Sequence, residues 1–302
     1  MQTSTHTTEL SSPITSYACP AKLNLFLHFI GQRSDGYHLL QSYFQLLDFG
    51  DELQISITDD RQISFSCDQS RLNCDNLNTS DNLVVKAAKL LQKQTQTIQG
   101  ARLHLIKKLP VGGGVGGGSS DCATALIALN RLWNTGLDLD ELTILGNALG
   151  ADVPVFIHGK SSFVEGTGEI ITPYPLPPAY FLVIQPNSHI STGEIFSNPL
   201  LTRNSKAITI RDLKTLGLPF EGVNTMQPIV VEANKEVKYV LDWLKSHSST
   251  ARMTGSGSCL FSVFDNLEEA SKIAAQCDSS WLTFVARGTT QSELHKKLDY
   301  AG

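Results

Sequence analysis

The densest chemical signal in this chain runs through Pro110, Val111, Gly112, Gly113, Gly114, Val115, Gly116, Gly117, Gly118, Ser119 and Ser120. Val115 is the one exception in an otherwise unbroken run of glycine from Gly112 to Gly118. Such a run is entropically costly and is seldom kept as a mere connector. It follows an expected strand and opens an expected helix that begins at Ser119 and Ser120. Backbone N–H groups without side chains in the way, beside the positive end of a helix dipole, suit a phosphate. A flexible surface loop is the alternative. Two familiar phosphate loops fit poorly. Gly118 is followed by Ser119 rather than by the Lys and Ser/Thr of a Walker A loop. Gly112, Gly114 and Gly117 satisfy G-x-G-x-x-G, but that spacing is nearly inevitable in such a run and lies far from a first β-α-β unit.

Other candidates are sparser. Lys22 and Asn24 share one face of a segment, Ala21–Ile30, whose apolar residues alternate with a period of two. Asp152 lies between Gly150, a helix cap, and Pro154, which pushes Val153 away from helical geometry, so a short irregular segment is expected there. Taken alone, Lys22 reads equally as an exposed strand lysine and Asp152 as a turn carboxylate. Tyr37 and His38 follow the Ser34-Asp35-Gly36 turn, where an aromatic face and a polar ring could hold a base or simply pack. Lys107 and Lys108 adjoin the glycine loop and reach either nucleotide phosphates or solvent. Gly255, Ser256 and Gly257 form a second glycine-rich turn, for which a tight hairpin is an equally good account.

The elements that must position these residues can be sketched from patterning. Strands are expected over 21–30, 39–49, 52–58, 62–67 and 102–108, and helices over 82–94, 123–133 and 139–149. Ser80 or Asp81 is a plausible cap for the first helix. A hairpin is expected around Glu165–Gly168. Pro173–Pro178 (PYPLPP) marks a linker. Beyond it come a strand at 179–185, a long helix at 227–245, strands at 251–254 and 259–264, a helix at 267–276 and a strand at 281–286. That order is β-α-β-β-α-β, the ferredoxin-like arrangement. Residues 1–15 are expected to be a disordered extension, 16–175 a nucleotide-binding domain and 176–302 a second domain.

Composition narrows the function class. The chain has 302 residues, 41% of them hydrophobic, with 24 basic against 29 acidic side chains for a net charge of −5. An acidic chain with a pI near 5.9 is poorly suited to grip nucleic acid or an anionic membrane. No apolar run is long enough for a transmembrane span, and MQTSTHTTELSSPITS has neither part of a secretory signal, so a cytoplasmic protein is expected. Cys19, Cys67, Cys74, Cys122, Cys259 and Cys277 include no C-x-x-C pair and read as reduced thiols, with no metal site among them.

Here a resemblance enters. The loop PVGGGVGGGSS at 110–120, the segment Pro20-Ala-Lys-Leu-Asn-Leu25 and the segment Met253-Thr-Gly-Ser-Gly-Ser-Cys259 resemble the three motifs of the GHMP kinases. GQRSDGYH at 31–38 and GADVPVF at 150–156 are similar to the branch of that family that acts on a cytidyl-methylerythritol alcohol. The resemblance runs from about Ser16 to Gly288. It implies a two-domain α+β fold, an N-terminal domain like the second domain of ribosomal protein S5 and a ferredoxin-like C-terminal domain, with the site in the cleft between. It implies transfer of the γ-phosphoryl of ATP, with Mg²⁺, to the 2-hydroxyl of the small-molecule substrate. It assigns catalysis to Asp152 and Lys22, ATP binding to the loop 110–120 and Lys107, and substrate binding to Asn24, Tyr37, His38 and Phe196. Gly255, Ser256 and Gly257 support the site. Homoserine- or mevalonate-type kinases of the same family, an RNA-binding module and a dinucleotide oxidoreductase are the alternatives weighed.

Overall fold

The computed structural model describes residues 13–70, 72, 77–188, 190–215 and 222–298. Most of the expected N-terminal extension and Cys74 therefore lie outside the described residues. The first half comprises β1 (Thr15–Gln32), β2 (His38–Thr58), β3 (Ile63–Asp68), α1 (Leu83–Thr95), β4 (Gly100–Ile106), α2 (Gly117–Leu132), α3 (Leu139–Leu149), α4 (Val153–His158), β5 (Ser162–Gly166) and β6 (Ile170–Pro173). The second comprises β7 (Tyr180–Gln185), α5 (Thr192–Ser197), α6 (Asp212–Thr215), α7 (Gln227–Ala233), α8 (Lys235–His247), β8 (Arg252–Met253), β9 (Leu260–Phe264), α9 (Leu267–Ala274), β10 (Leu282–Thr289) and α10 (Glu293–Lys297).

Long β2 organises the first half. It pairs antiparallel with β1, β4 and β5, and β4 pairs parallel with β3. Leu53, Ile55, Leu103 and Leu105 on these strands pack against Val84, Ala88, Leu126 and Leu129 of α1 and α2. β1 is interrupted by register shifts at 20/22, 24/27 and 29/31, each of which re-aims the strand. In the second half the order β10-β7-β9-β8, antiparallel throughout, is the ferredoxin-like sheet expected from the element order.

The two halves share one sheet. Gly288 and Thr289 of β10 pair with Leu47 and Leu46 of β2. A core at the seam buries Leu23, Leu25 and Phe26 of β1 against Phe181, Phe261 and Phe284. Buried Arg252 fastens the same strand, its Nε donating to Leu25 O at 2.7 Å. The chain then returns: α10 contributes Leu294 to the first core, and Lys297 Nζ donates to Ser16 O at 2.6 Å. A clean cut at 175/176 therefore misplaces the last segment, which packs on the first half.

Several expected boundaries move for identifiable reasons. The strands expected at 39–49 and 52–58 are one, because Gly50 bends without breaking β2; a Cβ there would lie 2.0 Å from Cys19 O. α1 is capped by Asn82, whose side chain accepts from Val84 N, rather than by Ser80 or Asp81. α2 begins inside the glycine run at Gly117, ahead of Ser119. Asp152 leads directly into α4, since Pro154 falls in the first turn, where its missing N–H costs nothing. β1 starts at Thr15, the last residue of the span expected to be disordered. Among the described residues no helix is long and apolar enough to cross a membrane.

The long helix expected over 227–245 is two, because Asn234 ends α7 and caps α8, accepting from Glu236 N at 3.1 Å and Val237 N at 3.0 Å. Asn234→Ala removes that acceptor and should lower the unfolding free energy by about 1 kcal/mol, read from urea denaturation. An unchanged midpoint would mean that packing alone sets the break.

Candidate functional site

The glycine loop is anchored by its one large side chain. Val115 is buried in the seam core, and its carbonyl accepts from Lys22 N at 2.9 Å, so the loop is stitched to β1. Gly114 and Gly116 sit at φ +79 and +75, a region that L side chains rarely adopt. A Cβ on Gly114 would lie 2.4 Å from Thr254 O. One on Gly116 would lie 2.8 Å from Phe156 Cζ and 3.0 Å from Lys22 Cγ. The glycines are thus required by the protein's own packing as well as by any anion.

The third motif closes over the loop from the second half. Cys259 N donates to Gly113 O at 3.1 Å, and Thr254 N to Cys259 O at 3.0 Å. Asn224 holds this turn, its Nδ2 donating to Met253 O at 3.0 Å and Gly255 O at 2.8 Å. Sequence reasoning missed Asn224 because its partners lie about thirty residues away and leave no local pattern. Gly255 packs on Gly114, and Ser256 reaches the cavity, where its hydroxyl pairs with that of Thr192 at 2.9 Å.

Lys22 is 3% exposed, so it is not the exposed strand lysine that its sequence also allowed. Its ammonium donates to Asn24 Oδ1 at 2.6 Å, lies 3.2 Å from Asp152 Oδ2 and sits 4.6 Å above the Phe44 ring. Asn24 in turn donates from Nδ2 to Ser42 Oγ at 2.9 Å. Both ends of this amide are engaged inside the protein. Asn24 therefore orients the lysine, and keeps one N–H and one oxygen lone pair beyond these two bonds.

Two cavities meet at Asp152. The first, about 520 Å³, is walled by the glycine loop, Ser119, Asp152, Thr192 and Ser256. Leu77, Leu83 and Leu105 also line it, an apolar wall that no sequence pattern singled out. The second, about 870 Å³, is lined by Tyr37, His38, Phe29 and Phe196 together with Ala151 and Gly193. Ala151/Asp152 and Thr192/Gly193 are consecutive pairs split between the two walls, so the cavities adjoin at Asp152, which lines the first. Phe196 lies 5.2 Å from His38, ring to ring, while Tyr37 stands at the rim, 66% exposed. Ser120 is fully buried, and among the described residues its Oγ has no hydrogen-bond partner.

Lys107 sits in a buried cluster. Its ammonium is buried between Asp51 Oδ2 at 2.5 Å and Asp121 Oδ2 at 2.9 Å, so two of its three donors go to carboxylates, while the residue also lines the cavity beside the glycine loop. Asp51 Oδ1 accepts from Lys108 N at 2.5 Å and Leu109 N at 2.8 Å, which fixes the strand end where the loop departs. Asp121 lies in the second turn of α2, just beyond the end of the loop. The cluster clamps both ends of the glycine loop. One ammonium neutralises one carboxylate, and Asp51 is the better solvated by hydrogen bonds. Burial, with the Asp51 charge beside it, pushes the Asp121 carboxyl up to about 7 despite Lys107. Lys108 has a lesser partner, Glu52 at 3.4 Å.

Cys19, Cys122, Cys259 and Cys277 are free thiols. Among the described residues, no group of three or more His, Cys, Asp and Glu could hold a metal ion.

Comparison with known proteins gives a consistent picture. The model of the GHMP kinases N-terminal domain matches residues 82–160, and that of the GHMP kinases C-terminal domain matches 204–282. A 4-diphosphocytidyl-2-C-methyl-D-erythritol kinase of Pseudomonas paraeruginosa is 46% identical over 284 residues, 94% of this chain and 97% of that protein. One from Ralstonia nicotianae is 46% identical over 287 residues, covering 94% and 98%. A crystal structure of 4-(cytidine 5'-diphospho)-2C-methyl-D-erythritol kinase superposes with a TM-score of 0.78 at 26% identity, covering 91% of this chain and 99% of that one. The homoserine kinase of Cytophaga hutchinsonii shares the fold, with a TM-score of 0.64 at 16% identity.

The raised Asp121 carboxyl has a consequence for stability. Its folded pKa lies above the unfolded value, so the stability it contributes is complete below about pH 4 and is lost as pH rises toward 7. The unfolding free energy of the protein, measured against that of Asp121→Asn, should therefore fall across that window. A flat difference would mean that Asp121 is fully ionised.

Proposed function

This chain belongs to the GHMP kinases, and from that premise we propose that it phosphorylates 4-diphosphocytidyl-2-C-methyl-D-erythritol. The γ-phosphoryl group of ATP passes to the 2-hydroxyl, giving the 2-phosphate and ADP, a step in non-mevalonate isoprenoid precursor synthesis. The observation that carries this reading is Asp152 at the junction of two cavities, one with a glycine wall and one with an aromatic wall.

The glycine cavity takes the nucleotide. Its backbone N–H groups and the start of α2 receive the phosphates, and Leu77, Leu83 and Leu105 face the base. The aromatic cavity takes the cytidyl group, with Tyr37 and Phe196 as stacking faces and His38 as a hydrogen-bonding ring. The acceptor hydroxyl then lies beside Asp152, which orients it and receives its proton. Lys22, desolvated and held by Asn24, offsets charge building on the transferring phosphoryl group. Mg²⁺ belongs to the same proposal. At nucleotide sites it rides on the phosphates and takes one or two protein oxygens, and the Ser119 hydroxyl and Asp152 carboxylate at the cavity wall would hold it. Bound there, it would neutralise phosphate charge. We place the nucleotide half at 16–175 and the ferredoxin-like half at 176–302, apart from the returning end, and the enzyme in the cytoplasm.

Asp152→Asn keeps the shape and removes the proton acceptor, so kcat should fall about 10²-fold or more with ATP affinity near wild type. Turnover at the wild-type rate would reduce Asp152 to a helix cap.

ADP release measured against a panel of acceptors tests the substrate. The cytidyl substrate should be turned over and homoserine and mevalonate should not. Tyr37→Ala should raise the KM for the cytidyl substrate by about 5- to 150-fold through lost stacking. An unchanged KM would sink the aromatic clamp.

A further inference from the structure

His38 is held by a residue that no sequence motif marked. Arg203 donates from Nε to His38 Nε2 at 2.9 Å. The rest of its guanidinium is fixed by backbone carbonyls: Nη1 donates to Leu201 O at 3.1 Å, and Nη2 donates to Phe196 O at 2.9 Å and Asn198 O at 3.1 Å. One side chain thus ties the end of α5, which carries Phe196, to the ring of His38. Phe29 completes the packing, its ring 5.3 Å from His38 and 5.6 Å from Phe196.

A guanidinium has donors only and does not lose its proton in a protein. The nitrogen that faces it must accept, so a neutral His38 carries its single proton on Nδ1. Protonating Nε2 as well would set two donors and two positive charges against each other. Burial, and the Arg203 charge, accordingly hold His38 below the ordinary histidine range, and the neutral ring persists at neutral pH. Among the described residues Nδ1 has no hydrogen-bond partner, and the ring lines the aromatic cavity.

We propose that Arg203 is a positioning residue that fixes His38 as its Nδ1–H tautomer and so makes the base pocket favour cytosine over uracil. This rests on the substrate reading above. A ring that offers one donor matches cytosine, whose N3 is an acceptor. Uracil carries N–H at N3, so two donors would meet and one would be left unpaired, a loss of about 5- to 150-fold.

The test has two arms. Long-range ¹H–¹⁵N NMR of histidine-labelled protein, with His38 assigned by its absence in His38→Gln, should show a protonated Nδ1 and a bare Nε2 at neutral pH. Arg203→Met should relax the ring toward the Nε2–H form, and Arg203→Lys, which keeps a donor-only cation, should retain Nδ1–H. The second arm measures kcat/KM for the cytidyl substrate and its uridyl analogue. Their ratio should be about 5- to 150-fold in wild type and should collapse toward unity in Arg203→Met, with the KM for ATP unchanged. A wild-type His38 protonated at Nε2 would overturn the proposal, with no variant needed to fold. A preserved cytidyl-to-uridyl ratio in Arg203→Met would overturn it too. Failure of the substrate reading would show separately, as no turnover of either pyrimidine substrate by wild type, and the tautomer would still stand or fall on the spectrum.

Discussion

A lysine ammonium almost wholly withdrawn from water is the constraint around which this molecule is arranged. Desolvating Lys22 is unfavourable unless its donors are matched, and the matching draws in most of the site. Asn24 and Asp152 supply oxygens, Phe44 a ring face, and Ser42 holds Asn24 in turn. The backbone of the same residue carries the loop through Val115. The register shifts in β1 on either side of Lys22 and Asn24 belong to this arrangement, since a regular strand would not satisfy the ladder and the side chains together. Asp152 is the member of the group that remains about one-third exposed, so the charge balance inside the protein is completed at the cavity wall, where a substrate meets it.

Much of this was legible in the residues. The period of two across Ala21–Ile30 placed Lys22 and Asn24 on one face, and they do touch. The glycine run at a strand-to-helix junction located one of the two cavities, and the element order after the Pro-rich linker matched the ferredoxin-like sheet. What escaped was whatever depends on distant partners. Nothing near Lys107 in the sequence shows that Asp51, fifty-six residues earlier, and Asp121 enclose its ammonium. Asn224 and Arg203 are ordinary polar residues in irregular chain, and only the fold shows what they hold. The helix break at Asn234 was missed for the opposite reason: the apolar pattern on both sides suits one helix, and a single capping side chain overrides it.

The site also separates tasks that residue types alone would merge. Three lysines stand on or beside the glycine loop and its cavity. Lys22 backs Asp152, Lys107 clamps the loop ends, and Lys108 pairs loosely with Glu52 near the surface. Charge of one sign thus serves chemistry, architecture and solvation within a short distance, and burial decides which. The same holds for the glycines, whose missing side chains admit Thr254 and Phe156 as much as they admit an anion. Conformational precision of this kind is what a phosphoryl transfer needs from its protein, which contributes positioning and electrostatics more than covalent chemistry.

The return of the chain end to the first half bears on how the protein emerges from the ribosome. β1 leaves the exit tunnel early, yet its partners at the seam include Phe261 and Phe284, Arg252 holds it, and α10 packs beside its start. A nascent chain therefore carries an apolar strand that stays incompletely covered until Phe284 and α10 have been made. Synthesis at about 5–20 residues per second makes that interval tens of seconds for a chain of this length. The glycine-walled cavity waits in the same way for Ser256, whereas every residue that lines the aromatic cavity has been made by Ser197.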